Sequence, residues 1–223
     1  VTTDLPPAQS GQQILNGKSL LEAARILTTR DPDLATILTH HGPPPLWARR
    51  PDFMTLIQII LEQQVSLVSA AAMFRRLSMN IGPFTPERFI EIGEPHLRAL
   101  GVTRQKAAYC LHAARAIAEG RLNTTALSRM NDGAARAALM QVKGIGPWSA
   151  DIYLLMALKR PDIWPLGDVA LVTAITELKQ LSSRPTLEEF VEIAEPWRPF
   201  RAVAARMLWQ YYLAQRKGFE SLG

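Results

Sequence analysis

Residues 139–158 read Leu139-Met140-Gln141-Val142-Lys143-Gly144-Ile145-Gly146-Pro147-Trp148-Ser149-Ala150-Asp151-Ile152-Tyr153-Leu154-Leu155-Met156-Ala157-Leu158. The pattern predicts one helix running into Val142-Lys143-Gly144-Ile145-Gly146-Pro147 and a second apolar helix following at once. Gly144 and Gly146 permit a tight hairpin and let the backbone approach another molecule closely. Gly146 and Pro147 open the second helix and leave free N–H groups pointing outward, an arrangement suited to phosphate, with the charge of Lys143 beside it. A plain helix–turn–helix connection carries the same pair of glycines. Taken alone, the stretch leaves the structural and the phosphate-binding reading both open.

Working outward, almost every segment has a helical period and clear punctuation. Asp31-Pro32 and Thr85-Pro86 each set a capping side chain before a proline at the first helical position. Thr186-Leu187-Glu188-Glu189 is a capping box, while Gly101 and Gly120 read as C-terminal stops. Helices are expected near 18–29, 32–40, 52–63, 65–79, 86–92, 95–100, 104–119, 132–140, 147–159, 168–179, 187–194 and 199–216. Alternating β-branched runs bounded by turns are lacking, so the fold class is all-α. Residues 1–10 read as a flexible tail. Gly42-Pro43-Pro44-Pro45 and the stretch from Arg160 to Gly167 break the chain. They predict a helical lobe over 51–160 carrying the hairpin element at about 132–159. A second lobe is expected from 11–50 together with 161–223, with an active-site cleft between the two.

Composition narrows the function. Hydrophobic residues make up 48% and charged residues 20% of the 223 positions, ordinary values for a globular protein. The longest apolar run, Ile152 to Leu158, is far short of the ~20 residues that span a membrane, and no secretory signal pattern opens the sequence. No membrane partner is expected. Lys and Arg total 25 against 20 acidic residues, and the pI near 9.7 suits an anionic partner such as nucleic acid. The single cysteine, Cys110, reads as a buried structural thiol and supplies neither a disulfide nor a four-thiolate iron–sulfur cluster. His40, His41, His96 and His112 have no metal-ligand spacing, so a catalytic zinc site is not expected.

At Leu139, Val142-Lys143-Gly144-Ile145-Gly146 and Pro147-Trp148-Ser149-Ala150 the sequence resembles the helix-hairpin-helix base-excision DNA glycosylases, and within them the DNA-3-methyladenine glycosylase II, or alkyl-base, branch. The likeness extends to Ile60-Leu61-Glu62-Gln63-Gln64-Val65-Ser66, to Leu100-Gly101 with Lys106-Ala107, to Leu166-Gly167-Asp168, and to Pro196-Trp197-Arg198-Pro199-Phe200-Arg201. It implies a monofunctional DNA glycosylase that hydrolyses the N-glycosidic bond of N-alkylated purines in double-stranded DNA and so starts base excision repair. The family's essential aspartate falls on Asp168. From the residues alone Asp168 is the N-cap of an apolar helix, and the two roles are compatible.

The resemblance places pocket tryptophans at Trp148 and Trp209, with Tyr153 and Trp47 as further aromatic candidates for stacking a flipped base; each of these rings also suits a core position. DNA contacts are implied for Gln63, Gln64 and Ser66, in the turn that fills the gap left by the base, and for Lys143, Gly144, Ile145 and Gly146. Lyase relatives carry a nucleophilic lysine where Trp148 stands, so no lyase activity is expected. The backbone carbonyls of Met140, Val142 and Ile145 are implied ligands of a structural monovalent or divalent cation; no catalytic cofactor is expected. Glu62 departs from the family, which has a small residue there, and Gly167 stands where many relatives have a second acid. No β-sheet lobe of the kind longer members carry is expected at the N-terminus. Alternatives are a glycosylase for deaminated or oxidised bases and a non-catalytic helix-hairpin-helix DNA-binding module. A monomer is expected, in the cytoplasm (nucleoid) if bacterial and in the nucleus if eukaryotic.

Overall fold

Helix boundaries in the computed structural model, which describes residues 14–216, follow the side chains able to take up free backbone N–H groups. Asn16 caps α1 (Gly17–Arg30), Asp31 caps α2 (Pro32–His41), Asp52 caps α3 (Phe53–Glu62) and Ser66 caps α4 (Leu67–Ile81). Thr85 caps α5 (Pro86–Ala99), and Thr103 caps α6 (Arg104–Ala118). A short α7 (Thr124–Leu127) follows Asn123, and Asn131 caps α8 (Asp132–Met140). Beyond the hairpin come α9 (Pro147–Ile152), a π-helical turn (Tyr153–Ala157), α10 (Val169–Leu178), α11 (Leu187–Ala194), a 3₁₀ turn (Glu195–Trp197) and α12 (Arg201–Gln215). Among the described residues there is no strand, and no helix is long and apolar enough to cross a membrane. The all-α reading holds. The tail expected over 1–10 lies outside the described residues.

Three details differ from the sequence expectation. The helices read at 86–92 and 95–100 are one element bent at Gly93, whose φ of 67° is left-handed. α7 is too short to have shown a period. The helix expected over 147–159 widens into a π turn, closed by the Leu158 N–H on the Tyr153 carbonyl at 3.1 Å.

α3 packs on α4 and α6, α6 on α5, and α8 on α9, while α12 packs on α1, α2 and α10, and α1 on α2. α12 is buried from Ala202 to Gln210, so it has no solvent face there to reveal a helical stripe. In its middle lies Arg206, fully buried with no carboxylate partner among the described residues, and burial pushes its guanidinium down to about 9. It donates instead to the carbonyls of Leu46, Ala202 and Leu155 at 2.9, 2.9 and 2.7 Å. Cys110 is buried and its thiol is pushed up to about 12, which suits an inert core residue. Asp151, also buried, pairs with Arg136 across α9 and α8, and burial raises its carboxyl to about 6.

Candidate active site and nucleic-acid interface

The Pro165-Leu166-Gly167 stretch delivers the chain to α10 through Gly167, whose φ is 77°. Asp168 then caps α10, its Oδ1 accepting the Leu171 N–H at 2.9 Å. That much is local chemistry. Packing adds two donors from distant helices: the Trp209 indole N–H of α12 reaches Oδ1 at 3.1 Å, and the Trp148 indole N–H of α9 reaches Oδ2 at 2.9 Å. Three N–H donors thus converge on one carboxylate that is 7% exposed. The carboxyl group is fixed as an acceptor, with its oxygens oriented by two rings. Trp148 stays half-buried, and Trp47 stands edge-on to Trp209 with ring centres 6.3 Å apart.

The indole bonds separate two functions within one side chain, orientation of the carboxylate and the aromatic face. Trp148→Phe keeps a ring and removes the donor. A hydrogen bond to a charged group contributes about 1.5–3 kcal/mol, so any chemical step that relies on Asp168 should slow by roughly ten- to a hundredfold while ligand affinity changes little. Trp148→Ala should lose both. Single-turnover rates and affinities for the two variants check this.

The hairpin between α8 and α9 is closed by the Ile145 N–H on the Val142 carbonyl at 2.9 Å. Gly144 has φ +98°, and a Cβ there would overlap the Tyr109 ring of α6. Gly146 is different: its φ is −87° and a Cβ would meet nothing within 4 Å. The turn therefore requires only the first glycine. Ile145 is buried, while Lys143 and Gly146 are exposed on the outer rim. No side chain caps α9, so its leading N–H groups remain available.

Two sequence expectations are corrected here. Gln63 is not free to fill a gap in DNA, because its amide donates to the Gly144 carbonyl at 2.8 Å and to the Ser149 hydroxyl at 2.9 Å. It is a clamp that holds the hairpin against α3. Tyr153 is fully buried in the π turn, and desolvation, with the charge of Asp52 nearby, pushes its hydroxyl upward. It is a core residue and offers no face to a base. Ser66 is exposed, and its hydroxyl serves as the α4 cap, accepting the Ser69 N–H at 3.2 Å. Gln64 takes the projecting place in this turn, exposed and held at φ 55°.

Arg49 and Arg206, which frame the Trp47 side of the site together with Glu62, carry no signal of their own in the sequence. The departure at Glu62 was the one available signal. Among the described residues no group of three or more His, Cys, Asp or Glu side chains could hold a metal ion. The carbonyls of Met140, Val142 and Ile145 lie at the end of α8 and in the turn, where helix-terminal C=O groups lack intrahelical partners.

Residues 57–199, which include the hairpin, the 63–66 turn and Asp168, match the HhH-GPD superfamily of base excision DNA repair proteins. The chain belongs to that superfamily. It is 31% identical over 170 residues to a DNA-3-methyladenine glycosylase of Bacillus subtilis, covering 71% of this chain and 56% of the relative. It is 28% identical over 181 residues to DNA-3-methyladenine glycosylase 1 of Schizosaccharomyces pombe, covering 79% of each. The chain spans 64% and 56% of the length of the two Bacillus subtilis relatives it matches. A solved Schizosaccharomyces pombe 3-methyladenine DNA glycosylase in complex with abasic-DNA has a TM-score of 0.78 at 27% identity, covering 85% of this chain and 95% of that one. Trp47 and Trp209 lie outside the residues matched to the superfamily.

Proposed function

We propose that the protein is a monofunctional DNA glycosylase that releases N-alkylated purines of the 3-methyladenine type from double-stranded DNA. The observation that carries this reading is Asp168, held by two indole N–H groups and the α10 amide beside a hairpin whose rim is exposed. As an N-alkylated purine leaves, positive charge develops on the sugar, and a fixed carboxylate stabilises it. The same oxygens orient or deprotonate the attacking water. The alkylated base is already cationic and leaves readily, so no second carboxylate is needed to protonate it. The flipped base stacks on indole faces, which attract cations.

Among the described residues Asp168 has only indole and backbone partners, and Lys143 lies exposed on the hairpin rim, so no Schiff-base intermediate is assigned. Lys143, the Gly144–Gly146 backbone and Gln64 are assigned to the DNA. The carbonyls of Met140, Val142 and Ile145 are hard oxygen donors that would hold a monovalent or divalent cation, which would supply positive charge at the hairpin. The names of the relatives support the substrate class. A monomer acting where the genome lies completes the reading.

The test is incubation with duplexes bearing one defined lesion each, with released bases identified by mass. Free alkylpurine, intact strands until alkali treatment and no borohydride-trapped adduct are expected. DNA binding with no base released would instead assign a non-catalytic module, and a trapped adduct lost in one lysine variant would overturn the monofunctional assignment.

A further inference from the structure

α9 spans only six residues, yet two of its side chains reach the stretch that carries Asp168. Trp148 and Asp151 are three residues apart and so share one face of the helix. Trp148 gives its indole N–H to Asp168 Oδ2 at 2.9 Å. One turn on, the Leu166 N–H faces the Asp151 carboxylate, whose two oxygens are shut off from solvent. Arg136 of α8 closes the arrangement, pairing with Asp151 while 36% of its own side chain stays in solvent.

The same stretch is pinned at its other end. Arg201, at the head of α12, bonds the Asp162 carboxylate at 2.9 Å and the Asp162 carbonyl at 3.0 Å, and its charge also acts on Asp151. Past these pins only Gly167 precedes Asp168, and a glycine by itself leaves the backbone free to turn. A buried ion pair adds little net stability, since desolvating two charges costs about as much as their attraction returns. What the pair supplies is a fixed arrangement of the elements it joins.

We propose that Asp151 is a positioning residue: with Arg136 it locks the two hairpin helices to the 165–168 stretch, so that Trp148 and Asp168 meet in their working geometry. The inference rests on the glycosylase reading above and deepens it. Burial raises the Asp151 carboxyl to about 6 against the pull of Arg136, Arg201 and the Leu166 N–H, and this separates positioning from stability. A carboxyl that holds its proton more tightly when folded contributes stability that is present below the ordinary carboxylate range and lost as pH rises through about 6. The brace engages only when the carboxyl is ionised, so its contribution to the rate runs the other way.

The test is single-turnover release of 3-methyladenine from duplex DNA alkylated with methyl methanesulfonate, with thermal melts of the same samples, between about pH 5 and pH 8. Near the acid end wild type and Asp151→Asn should agree within about threefold. Near the alkaline end wild type should be about ten- to a hundredfold faster, the cost of misplacing a catalytic group by about 1 Å, with DNA affinity changed by less than about twofold. Over the same range the melting advantage of wild type over Asp151→Asn should shrink. Arg136→Gln should carry the midpoint of release upward, because the carboxyl loses a charge that favours its ionised form, and Arg136→Lys should bring it back toward wild type. A rate ratio that stays flat with pH, or that follows the melting difference, makes Asp151 a stability residue and overturns the proposal. If Asp151→Asn does not fold, an unmoved midpoint in Arg136→Gln overturns it instead. Wild type separates the two levels: no alkylpurine released at any pH overturns the glycosylase reading and this role with it, whereas release with a flat ratio removes only the role of Asp151.

Discussion

Asp168→Asn should leave a folded, DNA-binding protein whose rate of base release has fallen by on the order of 10² or more. The amide keeps the size of the carboxyl group and one oxygen, which still accepts the Leu171 N–H and so preserves the α10 cap. It loses the charge that stabilises the departing sugar cation. It also places an NH₂ group against one of the two indole N–H donors now bound to the carboxylate at 2.9 and 3.1 Å. One buried donor is then unpaired, at about 1–3 kcal/mol, so the melting temperature should fall by roughly 2–10 °C. Single-turnover release and thermal melts on the same preparation check both effects. Near-wild-type turnover by the stable variant would remove Asp168 from the chemistry.

Valine at the two hairpin glycines should separate folding from DNA binding. At Gly144 a side chain meets both a φ of +98° and the Tyr109 ring. Left-handed backbone with a Cβ costs about 1–2 kcal/mol and overpacking about 1–3 kcal/mol, so Gly144→Val should melt roughly 6–15 °C lower. Gly146 has an extended backbone and open space around it, which valine tolerates, so Gly146→Val should melt within about 2 °C of wild type. Its DNA affinity should nonetheless fall sharply for damaged and undamaged duplex alike, because the valine stands where a phosphate approaches. Lys143→Ala should weaken binding to both duplexes and reduce the salt slope by about 0.9, one phosphate contact. Melting curves and affinities across a salt series read all three. Unchanged DNA binding by Gly146→Val would mean that the rim does not meet the backbone.

The hairpin, the caps and the place of Asp168 were legible because each is written in a few adjacent residues. Asp31-Pro32, Thr85-Pro86 and Thr186 with Glu189 form the caps their sequences announce. Tyr153 and Gln63 were misread for one common reason. Both are polar or amphipathic residues beside a functional motif, and which way each points depends on neighbours far along the chain. The chain from Ser149 to Leu155 is buried on every side, so Tyr153 lies in the core, and Gln63 finds its partners 81 and 86 residues away.

The sequence by itself determined an all-α chain, a glycine hairpin with an uncapped second helix, and a carboxylate at the head of α10. These follow from backbone conformations and capping bonds that act within four residues. Tertiary structure alone decided that Trp148 and Trp209, 20 and 41 residues from Asp168, aim their N–H groups at its two oxygens. It alone seated Arg206 under Leu46, 160 residues away, and joined Arg49 to Glu62 so that Trp47 faces Trp209. A hydrogen bond between distant residues has no local signature; its partners are fixed only when the helices carrying them pack.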